Sequence, residues 1–165
     1  MGYEMNSKLI KRRSGIGTVF LMVLSLLVLG GCNGPFVLLP GGQLDGTLEP
    51  PPKNWNFAGA YGTFQLETQP RDPYSVNIVY TVVDGQMYIN AGDSETQWVK
   101  NISADSNVRV RLDHKLYDAR AERVTDRATL QTFAKAWTEQ SVFRRDPMEL
   151  EQVWVYRLVP RSSKD

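Results

Sequence analysis

The sequence predicts a mainly β fold of the α+β class, in which an antiparallel sheet curls into a small barrel with two or three short helices. Segments of alternating apolar and polar residues follow one another as hairpins, and two amphipathic helical patterns interrupt them. Hairpins joined in this order favour a closed sheet, because closure removes exposed strand edges. The chain also contains no glycine-rich phosphate loop of the kind found in parallel doubly wound folds.

The first hairpin carries the strongest strand signal. Phe64 and Leu66 fall on one face of an alternating segment, and a proline-containing loop follows it. Asp84-Gly85 suits a two-residue hairpin turn with positive φ, because it lies between two segments rich in β-branched and aromatic residues. These patterns predict strands over residues 60–68, 74–83 and 86–91.

The second half of the domain alternates helices and strands. Trp98, Val99 and Ile102 share one face of a short helix, while Leu130 to Trp137 follow the i, i+3, i+4, i+7 spacing of a longer one. The predicted elements are a helix after a Ser94/Gln97 capping box, strands 107–112 and 116–124, a helix capped by Thr125 or Asp126, a turn at Asp146-Pro147 and a strand over 153–159.

The composition excludes several classes of function. The chain of 165 residues carries 19 basic and 18 acidic side chains, a net charge of +1, so nothing indicates a nucleic-acid partner. One cysteine and one histidine exclude zinc sites built from several such ligands, and we expect no metal. No nucleophile, base and acid assemble around His114, so the catalytic residues stay unknown.

The amino terminus has the organisation of a signal peptide. A basic stretch, Lys8 to Arg13, precedes an apolar run from Val19 to Leu29 that is shorter than the roughly 20 residues of a membrane-spanning helix. Leu29-Gly30-Gly31-Cys32 resembles the lipobox of bacterial lipoproteins. The resemblance implies cleavage after residue 31, lipidation of Cys32, membrane lipid as a partner, and a cell-envelope protein whose domain lies on the periplasmic or extracellular side.

The remaining chain divides into a linker and a domain. Residues 32–54 are rich in proline and glycine, which favour neither helix nor sheet, so we expect a tether that holds the domain clear of the lipid headgroups. The folded domain is predicted over residues 55–165.

A family resemblance covers the chain from about Tyr74 to Asp126. Its motifs are a strand pair joined at Asp84-Gly85, a helix containing Trp98-Val99-Lys100-Asn101-Ile102, an Ala104-Asp105 turn leading into Val108-Arg109-Val110, and Ala121-Glu122-Arg123-Val124 at the end of a further strand. With these motifs the chain resembles the split β-barrel flavin-binding superfamily, in particular its deazaflavin-dependent nitroreductase-like branch.

The resemblance implies a six-stranded antiparallel split barrel that binds FMN or a deazaflavin, in some members across a homodimer interface, and acts as an oxidoreductase on a small organic acceptor. The branch usually carries a Gly-Arg-x-Ser-Gly loop that contacts phosphate. The chain has Thr68 to Ser75 in its place, and only an arginine and a serine keep rough positions.

Five residues are candidates for cofactor binding, each with a structural alternative. Arg71 and Ser75 offer a guanidinium and a hydroxyl to a phosphate, or they form a surface turn. Lys100 and Asn101 lie where the resemblance implies polar contacts to a cofactor, but Asn101 could instead hold the helix against the barrel. Trp98 could lie against a flavin ring or belong to the core.

The arginines of the second half are interleaved with acidic residues, which favours an exposed, salt-bridged face over an anion-binding patch. Two functions remain open at this point. One is a lipid-anchored oxidoreductase with a flavin or deazaflavin, and the other is a cofactor-free binding or scaffolding lipoprotein of the envelope.

Overall fold

The computed structural model describes residues 34–69, 71–92 and 96–161, and these residues belong to one compact unit. The predicted signal peptide, Cys32 and Ser94 lie outside the described residues. The elements are β1 (Thr47–Leu48), a 3-10 turn (Asn56–Ala58), β2 (Tyr61–Thr68), β3 (Tyr74–Val83), β4 (Gln86–Ala91), α1 (Gln97–Ala104), β5 (Asn107–Leu112), β6 (Lys115–Arg123), α2 (Arg127–Thr138), a second 3-10 turn (Pro147–Glu149) and β7 (Trp154–Pro160).

Six antiparallel strands close into a barrel. The hydrogen-bonded order is β5-β2-β3-β4-β7-β6, and β6 returns to pair with β5. β3 pairs with β4 from Tyr80 to Val83, so the first half of β3 separates from β4. This opening gives the α+β, six-stranded split barrel that the sequence predicts, and the fold class is confirmed. The predicted strand ends differ from the observed ones by at most one residue.

Alternation along the strands builds the core. Phe64, Leu66 and Val110 point into the barrel and are buried, and Trp55 closes one end by donating its indole N–H to the carbonyl of Leu158 at 2.9 Å. On the outside, α2 packs Phe133 against the strands in a second, smaller apolar cluster. Both layers bury large apolar side chains, and this burial is the main stabilisation of the fold.

Local signals set the turns and helix ends. Asp84 and Gly85 have φ of +50° and +75°, as a two-residue hairpin turn requires. The side chain of Asp126 accepts the backbone N–H of Thr129 at 2.8 Å and caps α2, as predicted. The short helix begins later than the Ser94/Gln97 pattern predicts, because Thr96 is its N-cap residue.

The proline- and glycine-rich linker is not a free tether over its described part. We call residues 34–49 the N-terminal segment, and it lies on the barrel: Gly41 pairs with Ser75, and β1 adds in parallel to the start of β6. Leu44 is buried and donates its backbone N–H to the carboxylate of Glu67. The expectation that this segment forms no sheet is wrong, because strand partners on the barrel satisfy its backbone groups.

Candidate functional site

A groove lies where β3 separates from β4, and we call it the Trp98 groove. It encloses about 420 Å³ between the N-terminal segment, the first half of β3 and the start of α1. Its aromatic and aliphatic walls carry a few amide and hydroxyl groups, which is the usual composition of a small-molecule site. No lining residue among those described carries a charge: the lining consists of Val37, Leu38, Leu39, Tyr74, Val76, Asn77, Thr96, Gln97 and Trp98.

Trp98 belongs to the core and also reaches the groove. Its ring meets the ring of Tyr156 edge-on, with 5.9 Å between centroids, and 9% of the residue is exposed. This small exposure, together with its place in the groove lining, leaves one part of the indole available to a ligand. The two sequence alternatives for Trp98 are therefore compatible.

Asn101 is committed to the protein itself. It is buried, donates its side-chain N–H to the Thr68 hydroxyl at 2.9 Å, and accepts from the side chain of Gln97 at 2.8 Å. The Thr68 hydroxyl in turn donates to the carbonyl of Tyr74 at 3.1 Å. This chain of hydrogen bonds fixes α1 against the β2–β3 ribbon, the structural alternative that the sequence left open.

Ser75 lies on the opposite face of the same ribbon. It is fully buried and pairs with Glu67 across the strands, whereas Thr68 pairs with Tyr74. Side chains of adjacent residues on a strand point to opposite faces, so the hydroxyl of Ser75 points away from Asn101. The backbone of Gly41 pairs with Ser75, and the serine Oγ has no hydrogen-bond partner among the described residues.

The remaining candidates are exposed. Arg71 lies in the loop between β2 and β3, and Lys100 lies on the outer side of α1. The structure therefore does not bring the five predicted residues together around one ligand. Ser75 and Asn101 face opposite sides of the ribbon, and only Trp98 lines the groove. A phosphate does not fit this set of residues, while a ring without a phosphate fits the groove, whose described lining is uncharged.

A network of charges lies under the N-terminal segment. The Arg109 guanidinium contacts Glu67 at 3.5 Å and Asp118 at 3.1 Å, and both carboxylates are almost completely buried. On a neighbouring face Glu122 accepts from Arg120 at 2.7 Å and from Arg157 at 2.8 Å, which lowers the pKa of Glu122. The predicted salt bridges are confirmed for Arg109 and Arg120, although the carboxylates that pair with Arg109 are buried and not part of an exposed face.

A second groove, the Tyr117 groove, lies at the opposite end of the β2–β3 ribbon. It encloses about 410 Å³, and Asp113 and Lys115 contribute opposite charges to it. Burial raises the pKa of both Tyr80 and Tyr117, so their hydroxyls stay protonated donors. Its other lining residues are Phe57, Ala58, Gly62, Thr63 and Leu112.

Other kinds of site can be checked over the described part of the chain. There, no group of three or more histidine, cysteine, aspartate and glutamate side chains could hold a metal ion. Likewise, none of the described helices is both long and apolar enough to cross a membrane.

Comparison with known proteins gives structural likeness at low sequence identity. No family model and no curated protein matches the chain. A conserved hypothetical protein from Mycobacterium tuberculosis matches 61% of this chain and 73% of its own at 19% identity, with a TM-score of 0.49. A NimC/NimA family protein from Clostridium acetobutylicum matches 59% and 73% at 12% identity, with a TM-score of 0.47.

A FAD-binding protein from Mesorhizobium loti matches 61% of this chain and 81% of its own at 13% identity, with a TM-score of 0.44. Likeness at these values establishes neither a family nor an activity. The assignment of a split barrel follows from the strand pairing of this chain.

Sequence reasoning missed the part that the N-terminal segment plays in the groove. Val37, Leu38 and Leu39 form one wall of it, although the composition of the segment predicts a solvated tether. One signal was available. Four apolar residues stand in a row at Phe36–Leu39, an unusual feature in a flexible linker, which is ordinarily polar.

Proposed function

We propose that this protein is a lipid-anchored protein of the bacterial cell envelope whose split barrel binds a planar ring of the flavin or deazaflavin type in the Trp98 groove. The Trp98 groove is the observation that carries the proposal. Its volume lies within the 300–1,000 Å³ typical of ligand sites. Tyr74 and Trp98 offer it aromatic surface, and the side-chain carbonyl oxygens of Asn77 and Gln97, whose amide N–H groups are bonded within the protein, are acceptors that could orient a ligand.

The recognition of the ring would differ from that of a phosphate-bearing cofactor. The described lining is uncharged, and Asn101 and Ser75 are engaged or buried within the protein. We therefore expect riboflavin and FMN to bind about equally, because the phosphate gains no charge-assisted hydrogen bond in the groove. Oxidoreductase activity on a small organic acceptor and a homodimer rest on the sequence resemblance.

Thermal unfolding with added ligand tests the binding part of the proposal. At one hundred times its dissociation constant a ligand stabilises a protein by about 2.7 kcal/mol, so riboflavin, FMN and a 5-deazaflavin should each raise the Tm by several degrees. If none of the three moves the Tm, the barrel has no flavin-type ligand and this part of the proposal is wrong.

A second function is favoured by the hydrogen bonds of Asn101 and the burial of Ser75, which remove both from ligand binding. On that observation the barrel is a cofactor-free binding or scaffolding module of the envelope. The two functions differ in the thermal unfolding experiment, since only the first expects a shift with a flavin.

The anchor is tested separately. Cells grown with radioactive palmitate should label the full-length chain, and Cys32→Ser should abolish both the label and the retention of the protein in membranes. A Cys32→Ser variant that is still acylated would show that the lipidation site lies elsewhere.

A further inference from the structure

The N-terminal segment begins with a turn that exposes four apolar side chains. We call Phe36–Leu39 the apolar tip. The exposed fractions are 73% for Phe36, 67% for Val37, 93% for Leu38 and 66% for Leu39. Scattered apolar residues are normal on a protein surface, but a contiguous exposed group of this kind usually marks an interaction site.

The barrel holds the apolar tip in place. Phe36 and Leu39 exchange two backbone hydrogen bonds, of 3.0 and 2.8 Å. The side chain of Asn77, on β3, donates to the carbonyl of Val37 at 3.0 Å. Val37 has a φ of +52°, a conformation that is costly for a β-branched residue and that persists where the surroundings impose it. The tip is therefore an ordered turn whose four side chains are largely exposed.

The sequence places this turn next to the predicted acylation site. Only three residues separate Cys32 from Phe36, and the four residue steps between them span at most about 14 Å when fully extended. The headgroup region of one leaflet is about 5–8 Å thick, and interfacial apolar side chains reach about 5–10 Å into it. A lipid chain on Cys32 would therefore bring the apolar tip to the membrane surface.

A cation lies beside the same stretch of chain. The Arg111 guanidinium donates to the carbonyl of Asp45 at 3.1 Å, and a side-chain carbon on Gly34 would stand 3.5 Å from its Nη2. Apolar side chains flanked by an arginine are the usual composition of a surface that lies in the headgroup region, since the cation can meet lipid phosphates.

We propose that the apolar tip inserts into the lipid surface next to the acylated Cys32, so that the barrel lies on the membrane instead of hanging from a tether. This inference rests on the lipid anchor of the proposed function. Val37, Leu38 and Leu39 also line the Trp98 groove, so insertion places the mouth of that groove at the lipid surface.

The test uses the full-length acylated protein, purified and reconstituted on vesicles of phosphatidylethanolamine and phosphatidylglycerol. A fluorophore is attached through Leu38→Cys, or through Gln131→Cys as the control, because Gln131 is an exposed polar residue of α2. Lipids carrying a nitroxide on the acyl chain should quench the fluorophore at position 38 at least about twofold more than at position 131. Equal quenching at the two positions would overturn the insertion.

The parent chain separates failure of the insertion from failure of the anchor. Its only cysteine is blocked when acylated, so the parent should not react with a maleimide under denaturing conditions. A parent that reacts has no acylated Cys32, and the anchor is then wrong. If the parent is blocked and position 38 is shielded from water but is not quenched by nitroxide lipids, a second copy of the chain covers the tip and the lipid inference is wrong.

Discussion

The Trp98 groove and the Tyr117 groove enclose about 420 and 410 Å³, and they lie at opposite ends of the β2–β3 ribbon. The six residue steps from Gly62 to Thr68 separate them by about 20 Å. The described lining of the first is uncharged and includes the N-terminal segment, whereas the second contains Asp113, Lys115 and two buried tyrosines. Volume therefore does not distinguish them, and the chemistry of their walls does.

The two grooves also differ in how their walls are built. The walls of the Tyr117 groove come from strands, a turn and a 3-10 turn that follow Trp55 in the chain. The Trp98 groove needs a segment that precedes the barrel in sequence and is fixed on it by strand pairing and hydrogen bonds. Changes to the attachment at Val37, Gly41 and Leu44 should therefore affect the Trp98 groove more than the other, whereas β1 pairs with Lys115 beside the Tyr117 groove.

The largest effect is expected from Arg109→Ala. The substitution leaves the buried carboxylates of Glu67 and Asp118 without their shared cation, and loss of one partner of a buried ion pair costs about 3–5 kcal/mol. Urea unfolding should show this loss, with Arg120→Ala as a control at a largely exposed arginine, expected to cost less than about 1 kcal/mol. Equal losses in the two variants would show that the ion pairs of Arg109 with its two buried carboxylates stabilise the domain no more than an exposed ion pair does.

A smaller effect is expected from Gly46→Ala, which acts on the attachment of β1. The added carbon would stand 2.6 Å from the carbonyl oxygen of His114, a backbone atom that cannot move aside cheaply. Such overpacking costs about 1–3 kcal/mol. Gly42→Ala is the matched control, because its added carbon meets its nearest atom at 3.9 Å.

Hydrogen exchange locates the consequence of Gly46→Ala. The amides of Thr47 and Glu49, which donate to β6 and the turn before it, should exchange faster in Gly46→Ala than in Gly42→Ala. Unchanged protection of these amides would contradict the docking of the segment.

Blocking one groove at a time separates their roles in binding. Val76→Trp adds an indole to the wall of the Trp98 groove, where Val76 also packs against the barrel core, and in protein that keeps the circular dichroism of the parent it should weaken riboflavin binding at least about tenfold, or 1.4 kcal/mol. Thr63→Trp places the same side chain on the same ribbon but in the Tyr117 groove, and it should leave the affinity unchanged. Loss of binding in Thr63→Trp with retention in Val76→Trp would move the ligand to the other groove.

The smallest effect is a pH dependence that belongs to the Tyr117 groove. Burial raises the pKa of Tyr117 above its ordinary value of 10.0, so the unfolded chain releases this proton before the folded protein does. The stabilisation is complete below pH 10 and decreases as the pH rises through the folded-state pKa. Tyr117→Phe should therefore lose less stability between pH 9 and pH 11 than the parent, as measured by urea unfolding. A parallel decrease in both proteins would contradict the raised pKa.

The sequence was sufficient for the barrel because its signals are local and agree with one another. The alternation of apolar and polar residues predicted the strands, Asp84-Gly85 predicted the hairpin turn, and Asp126 was one of two predicted caps of α2. The composition of residues 34–49 did not predict that this segment pairs with the barrel. Its prolines and glycines indicate a low intrinsic propensity for helix and strand, but they carry no information about the strand partners that the folded barrel offers.

The candidate site could be predicted only in part. Trp98 lines the groove, as one of the two sequence alternatives predicts. The sequence does not show on which face of the β2–β3 ribbon a residue lies, because the loop between the two strands leaves their pairing register undetermined. For this reason Ser75 and Asn101, placed together on the basis of the resemblance, lie on opposite faces.

The most direct test of the Trp98 groove as a ring site is a fluorescence titration of the full-length protein with riboflavin and with FMN under the same conditions. The uncharged lining predicts that both bind and that their dissociation constants agree within about threefold. Binding of FMN with no detectable binding of riboflavin would contradict the account, because recognition would then depend on a phosphate site, and the described lining of the groove contains no charged residue.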